Sequence, residues 1–257
     1  MVLIADSQAV RANNRRKTGN GWHTTFIGKN RNTLQEGEIP PRSGTLYPMA
    51  FLVEKDPGAV VRPHFHEADQ FQVVVQGGGR FGVHEVNTVA VHYTDAWSAY
   101  GPIVAGSEGI SWFTLRNSWD RGAQYMPGAR AALRAARTHH QHRERTSEPM
   151  PASTPAELAR LGGTECIAGL DCSPDGLATS RLRLPAGACA LGPDPATGGG
   201  QFWIVLAGEA TCEGSELMPV LSCMFVPPAD PAPRFVAGPE GAELLGMQFP
   251  RLAHAAH

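Results

Sequence analysis

The sequence has no cysteine in its first half and no C-x-x-C pair anywhere. Its five cysteines all lie in the second half: Cys166, Cys172, Cys189, Cys212 and Cys223. An odd number without paired spacing argues against a disulfide framework or a cysteine zinc site. Such cysteines are typical of reduced, buried thiols in a cytoplasmic protein. We therefore expect a cytoplasmic location.

Unbalanced charge and long apolar runs are also scarce. The 257 residues include 22 basic and 24 acidic side chains, a net charge of −2, which gives no field to attract nucleic acid or an anionic membrane. No apolar stretch is long enough to cross a bilayer. The apolar beginning, Val2–Ala5, precedes the basic cluster at 15–17, the reverse of a secretory signal. The expected partner is a small molecule.

Turn-forming residues are plentiful. The 29 glycines and 21 prolines follow no strict period, and turn-rich chains favour β structure. Between the turns stand short runs of β-branched and aromatic residues, which predict strands. They are Phe51–Val53, Phe81–Val86, Val89–Tyr93 and Ile110–Leu115.

The chain contains an internal duplication. The segment Gln70–Gly77 matches Gln201–Gly208, with the Gln, the Phe, the fifth-position Val and the Gly in identical places. Matching segments flank both copies in the same order, at Pro57–Ala59 and Pro185–Ala188 upstream and at Val104–Gly109 and Val236–Gly241 downstream. Such a repeat indicates two copies of one domain.

These patterns predict an all-β chain of two tandem barrels joined by a helical linker. The expected limits are an N-terminal extension at 1–45, a first barrel at 46–128, a linker at 129–154, a second barrel at 155–250 and a tail at 251–257. Helices are predicted at Ala129–Arg145 and Pro155–Leu161, the latter with Thr154 as N-cap and Pro155 at its first position. The histidines at 139, 140 and 142 stand among arginines, which favours a solvated helix face over a metal site.

The candidate chemistry lies before the first matching segment. His64 and His66 are separated by one residue, so on a strand their side chains point to the same face. Gln70 and Gln72 share this parity. The imidazoles could together bind one divalent transition metal, whether iron, nickel, manganese, copper or zinc. The alternative is a polar strand face without metal.

Gly58, His64, His66, Gln70 and Gly77 resemble the first motif of the cupin superfamily, G-x5-H-x-H-x3-E-x6-G. With the duplication, the resemblance covers about 49–249 and identifies the chain as a bicupin. It implies jelly-roll barrels, a metal held by His64, His66 and Gln70, and association as a homodimer. Gln70 stands where the family usually has glutamate.

The second motif of the resemblance should fall within 91–102, but no histidine stands at its end. The order expected for a fourth protein ligand is none, then His92, Tyr100 and His84. Tyr100 and His92 are the candidate catalytic residues, with Glu67, Asp69 and His84 as further candidate bases. The residues expected to line the substrate pocket are Gln72, His84, Trp97 and Trp112. The alternative for His84 and His92 is a hydrogen-bonded surface or core histidine, and for Trp97, Tyr100 and Trp112 it is ordinary barrel packing.

The second repeat has no histidine in the corresponding segment, Leu191–Gly200. It cannot hold the same metal, and we expect a structural barrel. The first barrel is expected to be a metal-dependent enzyme acting on a small organic metabolite, with dioxygenase chemistry favoured over isomerase or lyase chemistry. Because the expected ligands are neutral, the ion's charge would favour carboxylate or enolate substrates. The alternatives are a non-catalytic binding or sensing cupin, and a metal-free epimerase-like cupin that uses a His–Tyr pair.

Overall fold

A computed structural model describes residues 1–42, 44–136, 142–212 and 214–251. The prediction of an all-β chain is confirmed, with 48% of residues in strands and 9% in helices. In chain order the strands are β1 (Leu3–Ala5), β2 (Arg15–Thr18), β3 (Gly21–Ile27), β4 (Leu46–Lys55), β5 (Val60–Val61), β6 (His64–Phe65), β7 (Gln70–Phe81), β8 (His84–Asn87), β9 (Ala90–Thr94), β10 (Ile103–Ser118), β11 (Gln124–Tyr125), β12 (Glu144–Thr146), β13 (Glu165–Ala168), β14 (Ala178–Leu184), β15 (Cys189–Leu191), β16 (Gln201–Cys212), β17 (Cys223–Val226) and β18 (Arg234–Gln248). The helices are α1 (Ser7–Asn14), α2 (Arg130–Ala136), α3 (Pro155–Ala159) and a 3-10 turn at Pro195–Thr197.

The chain forms two compact units, Asn14–Pro151 and Met1–Asn13 with Ala152–His257. In the first unit the antiparallel sheet runs β12-β9-β7-β10-β4-β3-β2, with β5 beside β10 and β8 beside β7. Strands β6 and β11 form a separate pair. In the second unit the order is β1-β17-β16-β18-β14-β13, with β15 beside β18. The two long central strands are β7 and β10 in the first unit and β16 and β18 in the second. These two pairs are equivalent.

The glycines that anchor the duplication lie where the two central strands of each unit approach closely. Gly77 has a φ of 67°, and a Cβ there would lie 2.3 Å from the carbonyl oxygen of Gly109. Gly208 has a φ of 64°, and its Cβ would lie 2.1 Å from the oxygen of Gly241. The positive φ and the close backbone both require glycine. The duplicated glycines therefore allow the same close backbone contact between the two central strands of each unit.

The N-terminal residues, predicted as an extension before the first barrel, are part of the two sheets. Strand β1 pairs with β17, placing Leu3 opposite Phe225, whereas β3 pairs with β4. The sequence gives no local sign of the β1 pairing, because the partner lies more than 200 positions away. Gly21–Ile27 mixes polar and apolar residues, so it was not predicted as a strand.

The helix predicted at Ala129–Arg145 is wrong at its C-terminal end. The structure has a helix over Arg130–Ala136, whereas Glu144–Thr146 is a strand paired with β9. Glu144 pairs with Thr94 of β9, and its carboxylate lies 2.9 Å from the buried His92 Nε2, partners that local sequence cannot reveal. Positions 137–141, with the first two histidines of the predicted cluster, lie outside the described residues, as does 252–257 of the tail.

The second predicted helix is present in a shorter form. It covers Pro155–Ala159, and Thr154 caps it by accepting from the Glu157 amide while the Glu157 side chain accepts from Thr154. This reciprocal pairing is a capping box. None of the helices in the described part of the chain has the length and apolar composition needed to span a bilayer.

Candidate functional site

A cavity of about 490 Å³ opens into the first unit. One wall is the inner face of the sheet, where side chains two apart along each strand point the same way. Strands β3, β4, β7 and β10 supply it with the side chains His23, Phe51, Val53, Lys55, Gln70, Gln72, Trp112, Thr114 and Arg116. His64, His66 and Tyr100 line it too, and Asp120 and Arg121 follow β10.

A chain of hydrogen bonds joins four buried side chains of this cavity. The Arg116 guanidinium donates to Gln70 Oε1 at 2.9 Å, and Gln70 Nε2 donates to the Tyr100 hydroxyl at 2.7 Å. His64 Nε2 lies 2.9 Å from that hydroxyl, and His64 Nδ1 lies 2.7 Å from the Arg62 carbonyl. A carbonyl only accepts, so Nδ1 carries the proton and Nε2 accepts from Tyr100. Every donor and acceptor in the chain is thus assigned.

His66 forms a second pair. Its Nδ1 donates to Asp120 Oδ2 at 2.8 Å, while the Asp120 carboxylate also accepts from the backbone amides of Glu67 at 3.0 Å and Gly122 at 2.9 Å. Arg116 lies 3.3 Å from the same carboxylate. With Nδ1 protonated, the neutral His66 ring has its lone pair on Nε2. The carboxylate fixes the tautomer and orientation of the imidazole.

The backbone also holds His66 and His64 in place. The Trp97 amide donates to the His66 carbonyl at 2.7 Å, and Tyr100 and His64 exchange two backbone bonds of 3.0 and 3.1 Å. Trp97 has a φ of 62°, a left-handed conformation that non-glycine residues adopt at an energetic cost. The segment 97–100 therefore holds the backbone of both histidines in place.

Burial and nearby charge set the protonation states. Burial, followed by the neighbouring His66, lowers the pKa of His64 to about 3. Burial and Arg116 also lower the pKa of His66, although Asp120 acts in the opposite direction. Burial pushes the pKa of Asp120 up, but Arg116 and His66 outweigh it and hold that pKa well below its ordinary value. At neutral pH the site has neutral imidazoles, an aspartate and an arginine.

Burial raises the pKa of Tyr100, against the opposing effects of Arg116 and Gln70. The phenol therefore keeps its proton at neutral pH. A buried, protonated phenol that already receives one N–H bond is a hydrogen-bond donor whose anion would be stabilised in place.

As arranged, the donors do not fit a divalent metal. Arg116 fixes the Gln70 amide so that its nitrogen, which cannot ligate, faces Tyr100, and both His64 nitrogens are hydrogen-bonded. The cation on Arg116 also repels a metal ion. Across 1–42, 44–136, 142–212 and 214–251, no three His, Cys, Asp or Glu side chains form a group that could hold an ion.

Three solved structures are similar to 80% or more of the chain at low sequence identity. The oxalate decarboxylase of Bacillus subtilis, with Mn(II) centres, is 13% identical with a TM-score of 0.59, covering 99% of this chain and 78% of that one. The pirin YhhW of Escherichia coli, in complex with nickel(II), is 10% identical with a TM-score of 0.57, covering 98% and 100%. Salicylate 1,2-dioxygenase of Pseudoaminobacter salicylatoxidans is 14% identical with a TM-score of 0.50, covering 80% and 70%. All three are cupins.

The chain has the cupin fold. This confirms the predicted pair of jelly-roll barrels. No family model matches the sequence, and no curated protein matches it. At 10–14% identity the likeness establishes the fold and not an activity.

Some of the residues predicted from the sequence line the cavity of the first cupin barrel, and others lie outside it. Gln72 and Trp112 line the cavity with His64, His66, Gln70 and Tyr100. His92 is fully buried behind them, with Nε2 donating to Glu144 at 2.9 Å and Nδ1 3.1 Å from Gln72 Oε1. It contacts the Tyr100 ring at a centroid distance of 5.2 Å, so it supports that residue from outside the cavity.

His84 and Trp97, predicted to line the pocket, do not line this cavity. His84 is exposed on β8, because the chain reverses at Gly82, which has a φ of 59°. Trp97 packs on Phe65 at 5.4 Å. Of the further candidate bases, Glu67 pairs with Arg121 at 2.8 Å and Asp69 accepts the Ala96 amide at 2.8 Å.

Sequence reasoning missed three residues of the site: Arg116, Asp120 and His23. A signal for Arg116 exists, because it continues the parity of Trp112 and Thr114 along β10. Asp120 gives no local signal, since its partner His66 lies 54 positions earlier.

The second cupin barrel has a smaller cavity of about 210 Å³, lined by Gln201, Trp203 and Gln248. Trp203 occupies the position of Gln72, and its indole N–H donates to Gln201 Oε1 at 3.0 Å. Gln201 donates to Gln248 at 2.8 Å and to the Pro193 carbonyl at 2.9 Å. A core of buried apolar side chains packs around Trp203. The polar groups satisfy one another, in keeping with a structural barrel.

Proposed function

We propose that the first cupin barrel catalyses proton transfer on a small, anionic organic metabolite, as an isomerase, epimerase or lyase that needs no metal. The observation that carries this proposal is the His66–Asp120 pair, which leaves a neutral imidazole with its free Nε2 beside the Tyr100–His64 pair. A base and an acid held by separate partners are the requirement for general acid–base catalysis.

In the proposed reaction, His66 Nε2 takes a proton from carbon next to a carbonyl group, and Asp120 stabilises the resulting imidazolium. The Tyr100 O–H turns from His64 Nε2 and donates its proton to the carbonyl oxygen of the substrate. The remaining phenolate would be stabilised by the Gln70 N–H and by the charge of Arg116, and it takes the proton back from the substrate oxygen when the His66 imidazolium returns its proton to carbon. Each proton therefore has a stated donor and acceptor.

The proposal is tested by exchange of substrate hydrogen for solvent deuterium, followed by NMR over a panel of small enolisable carboxylic acids. Exchange is expected with the wild-type protein, at least about 100-fold slower with His66→Gln and slower with Tyr100→Phe, since general acid–base groups contribute factors of that order. His84→Gln is the matched control, because His84 is an exposed histidine of the same barrel. Exchange that survives His66→Gln, or that stops when a chelator is added, would contradict the proposal.

A second candidate is the metal-dependent, dioxygenase-like enzyme expected from the sequence. It is favoured by the Mn(II) and nickel(II) of the similar structures and by the T-shaped contact of the His64 and His66 rings at 5.1 Å. It requires the Gln70 amide to turn away from Arg116. Elemental analysis of the untagged protein beside a His64→Ala/His66→Ala variant decides between the candidates: one equivalent of a transition metal that the variant loses supports the second.

A further inference from the structure

His23 has no role in the acid–base network, yet it lines the same cavity. It lies on β3 opposite Val53, and its ring packs on Phe51 at a centroid distance of 5.0 Å. Within the described part of the chain, neither ring nitrogen has a hydrogen-bond partner. A half-buried imidazole with free nitrogens has donor and acceptor capacity left for a ligand.

Lys55 lies beside His23 on the same inner face. It follows Val53 by two positions on β4 and is paired with Gly21, two positions before His23. Its ammonium donates to Asn20 Oδ1 at 2.6 Å, which is a neutral partner. Burial lowers the pKa of Lys55, with Asp56 acting in the opposite direction. A half-buried cation with a neutral partner favours an anion in the cavity.

The surroundings of His23 are positively charged. Its pKa is lowered to about 4 by burial and then by Lys55, Arg116 and Arg16. His23 is thus a neutral N–H donor at neutral pH, in a field of three cations. The Phe51 ring separates it from Arg116, whose guanidinium lies 5.3 Å from that ring and is already bonded to Gln70 and Asp120.

We propose that His23 and Lys55 form an anion-binding subsite that holds a carboxylate of the substrate, one aromatic ring away from the acid–base groups. Two donors match the two oxygens of a carboxylate, while a phosphate would present more oxygens and more charge. Trp112, Phe51 and Val53 line the cavity beside the subsite, which suits a short carbon chain. Calling the ligand a substrate depends on the proposed function; the anion site itself does not.

Calorimetric titrations with succinate and, separately, with inorganic phosphate test the subsite. Succinate affinity is expected to fall at least tenfold in Lys55→Gln and in His23→Gln. It should be retained within a few-fold in Lys55→Arg, which keeps the charge and checks that the position tolerates change. Lys17→Gln is the matched control, because Lys17 is exposed on β2 and packs on Trp22.

Equal succinate affinity in all variants, or no succinate binding by the wild-type protein, would overturn the proposal. Phosphate binding that is tighter than succinate binding and is lost in the same variants would overturn the assignment to a carboxylate. Different measurements separate this inference from the proposed function. Succinate affinity and its dependence on Lys55 and His23 test the subsite, whereas deuterium exchange tests His66 as a base, so either result can fail without the other.

Discussion

At the scale of single residues, Arg116 decides what Gln70 can do. A glutamine at the family's glutamate position presents either an oxygen or a nitrogen to the site. Two donor contacts of 2.9 and 3.3 Å from Arg116 bind the oxygen, so the nitrogen turns to Tyr100. Gln70 is therefore a hydrogen-bond donor to the Tyr100 phenol, where a glutamate would present a carboxylate.

Gln70→Glu should replace this hydrogen-bond donor with a carboxylate that can bind a metal ion. A carboxylate next to the two imidazoles supplies the charge and the oxygen donor that divalent ions such as Mn²⁺ prefer, so affinity for Mn²⁺ or Ni²⁺ should rise by about tenfold or more. Calorimetric metal titration with elemental analysis measures the gain. Gln201→Glu is the matched control, since it places the same charge at the equivalent position of a barrel without histidines there. A wild-type protein that binds these ions as tightly as Gln70→Glu would refute the argument.

The sequence predicts which residues belong to the site better than it predicts their hydrogen-bond partners. The spacing of His64 and His66 predicts a shared face, and both line one cavity with Gln70 and Gln72. Their roles as metal ligands stay a prediction. What each imidazole does depends on Tyr100 and Asp120, which lie 36 and 54 positions away. Contacts formed by folding over such distances leave no local pattern.

At the scale of strands, the same framework produces a larger cavity in the first barrel and a smaller one in the second, about 490 and 210 Å³. Strands β7 and β16 are the equivalent central strands of the two units, but the indole of Trp203 takes up space at the position where Gln72 lies in the first barrel. Two glycines make room for the indole. A Cβ on Gly246 would lie 2.5 Å from it, and a Cβ on Gly192 would lie 2.8 Å from it.

Trp203→Ala should therefore be costly in the second barrel. Trp203 is 2% exposed, and removing a buried tryptophan lowers the free energy of unfolding by about 3–5 kcal/mol. Gln72→Ala is the matched change at the equivalent position, and it should cost only about 1–2 kcal/mol, because it removes hydrogen bonds at an existing cavity. Urea unfolding of both variants tests the difference. Equal losses of unfolding free energy in the two variants would mean that Trp203 is not packed as described.

Strand ends were harder to predict than strands. The run Ile110–Leu115 identifies part of β10, but that strand covers Ile103–Ser118 because its pairing with β7 is interrupted between Ile110 and Ala105 and resumes over Ile103–Ala105. Periodicity detects the apolar part of a strand. Backbone pairing, which depends on a neighbour distant in sequence, sets its length.

At the scale of the whole molecule, titrating histidines are concentrated in one unit. His23, His64, His66 and His92 are all in the unit Asn14–Pro151 and all have pKa values lowered chiefly by burial. In the described part of the other unit, residues 1–13, 152–212 and 214–251, there is no histidine. The two units should respond differently to acid.

Above pH 6.5 these histidines should not make the free energy of unfolding depend on pH. Below pH 6.5 the free energy of unfolding should fall as the pH decreases. The unfolded chain then binds protons that the folded chain does not, until the folded pKa of about 4 for His23 and about 3 for His64 is reached. Each histidine removes at most about 1.4 kcal/mol of unfolding free energy per pH unit in that window. Urea unfolding between pH 7.5 and 5 measures the slope. His23→Phe should reduce it, whereas His84→Gln, at an exposed histidine, should leave it unchanged; a slope independent of His23 would show that this imidazole is not buried in its neutral form.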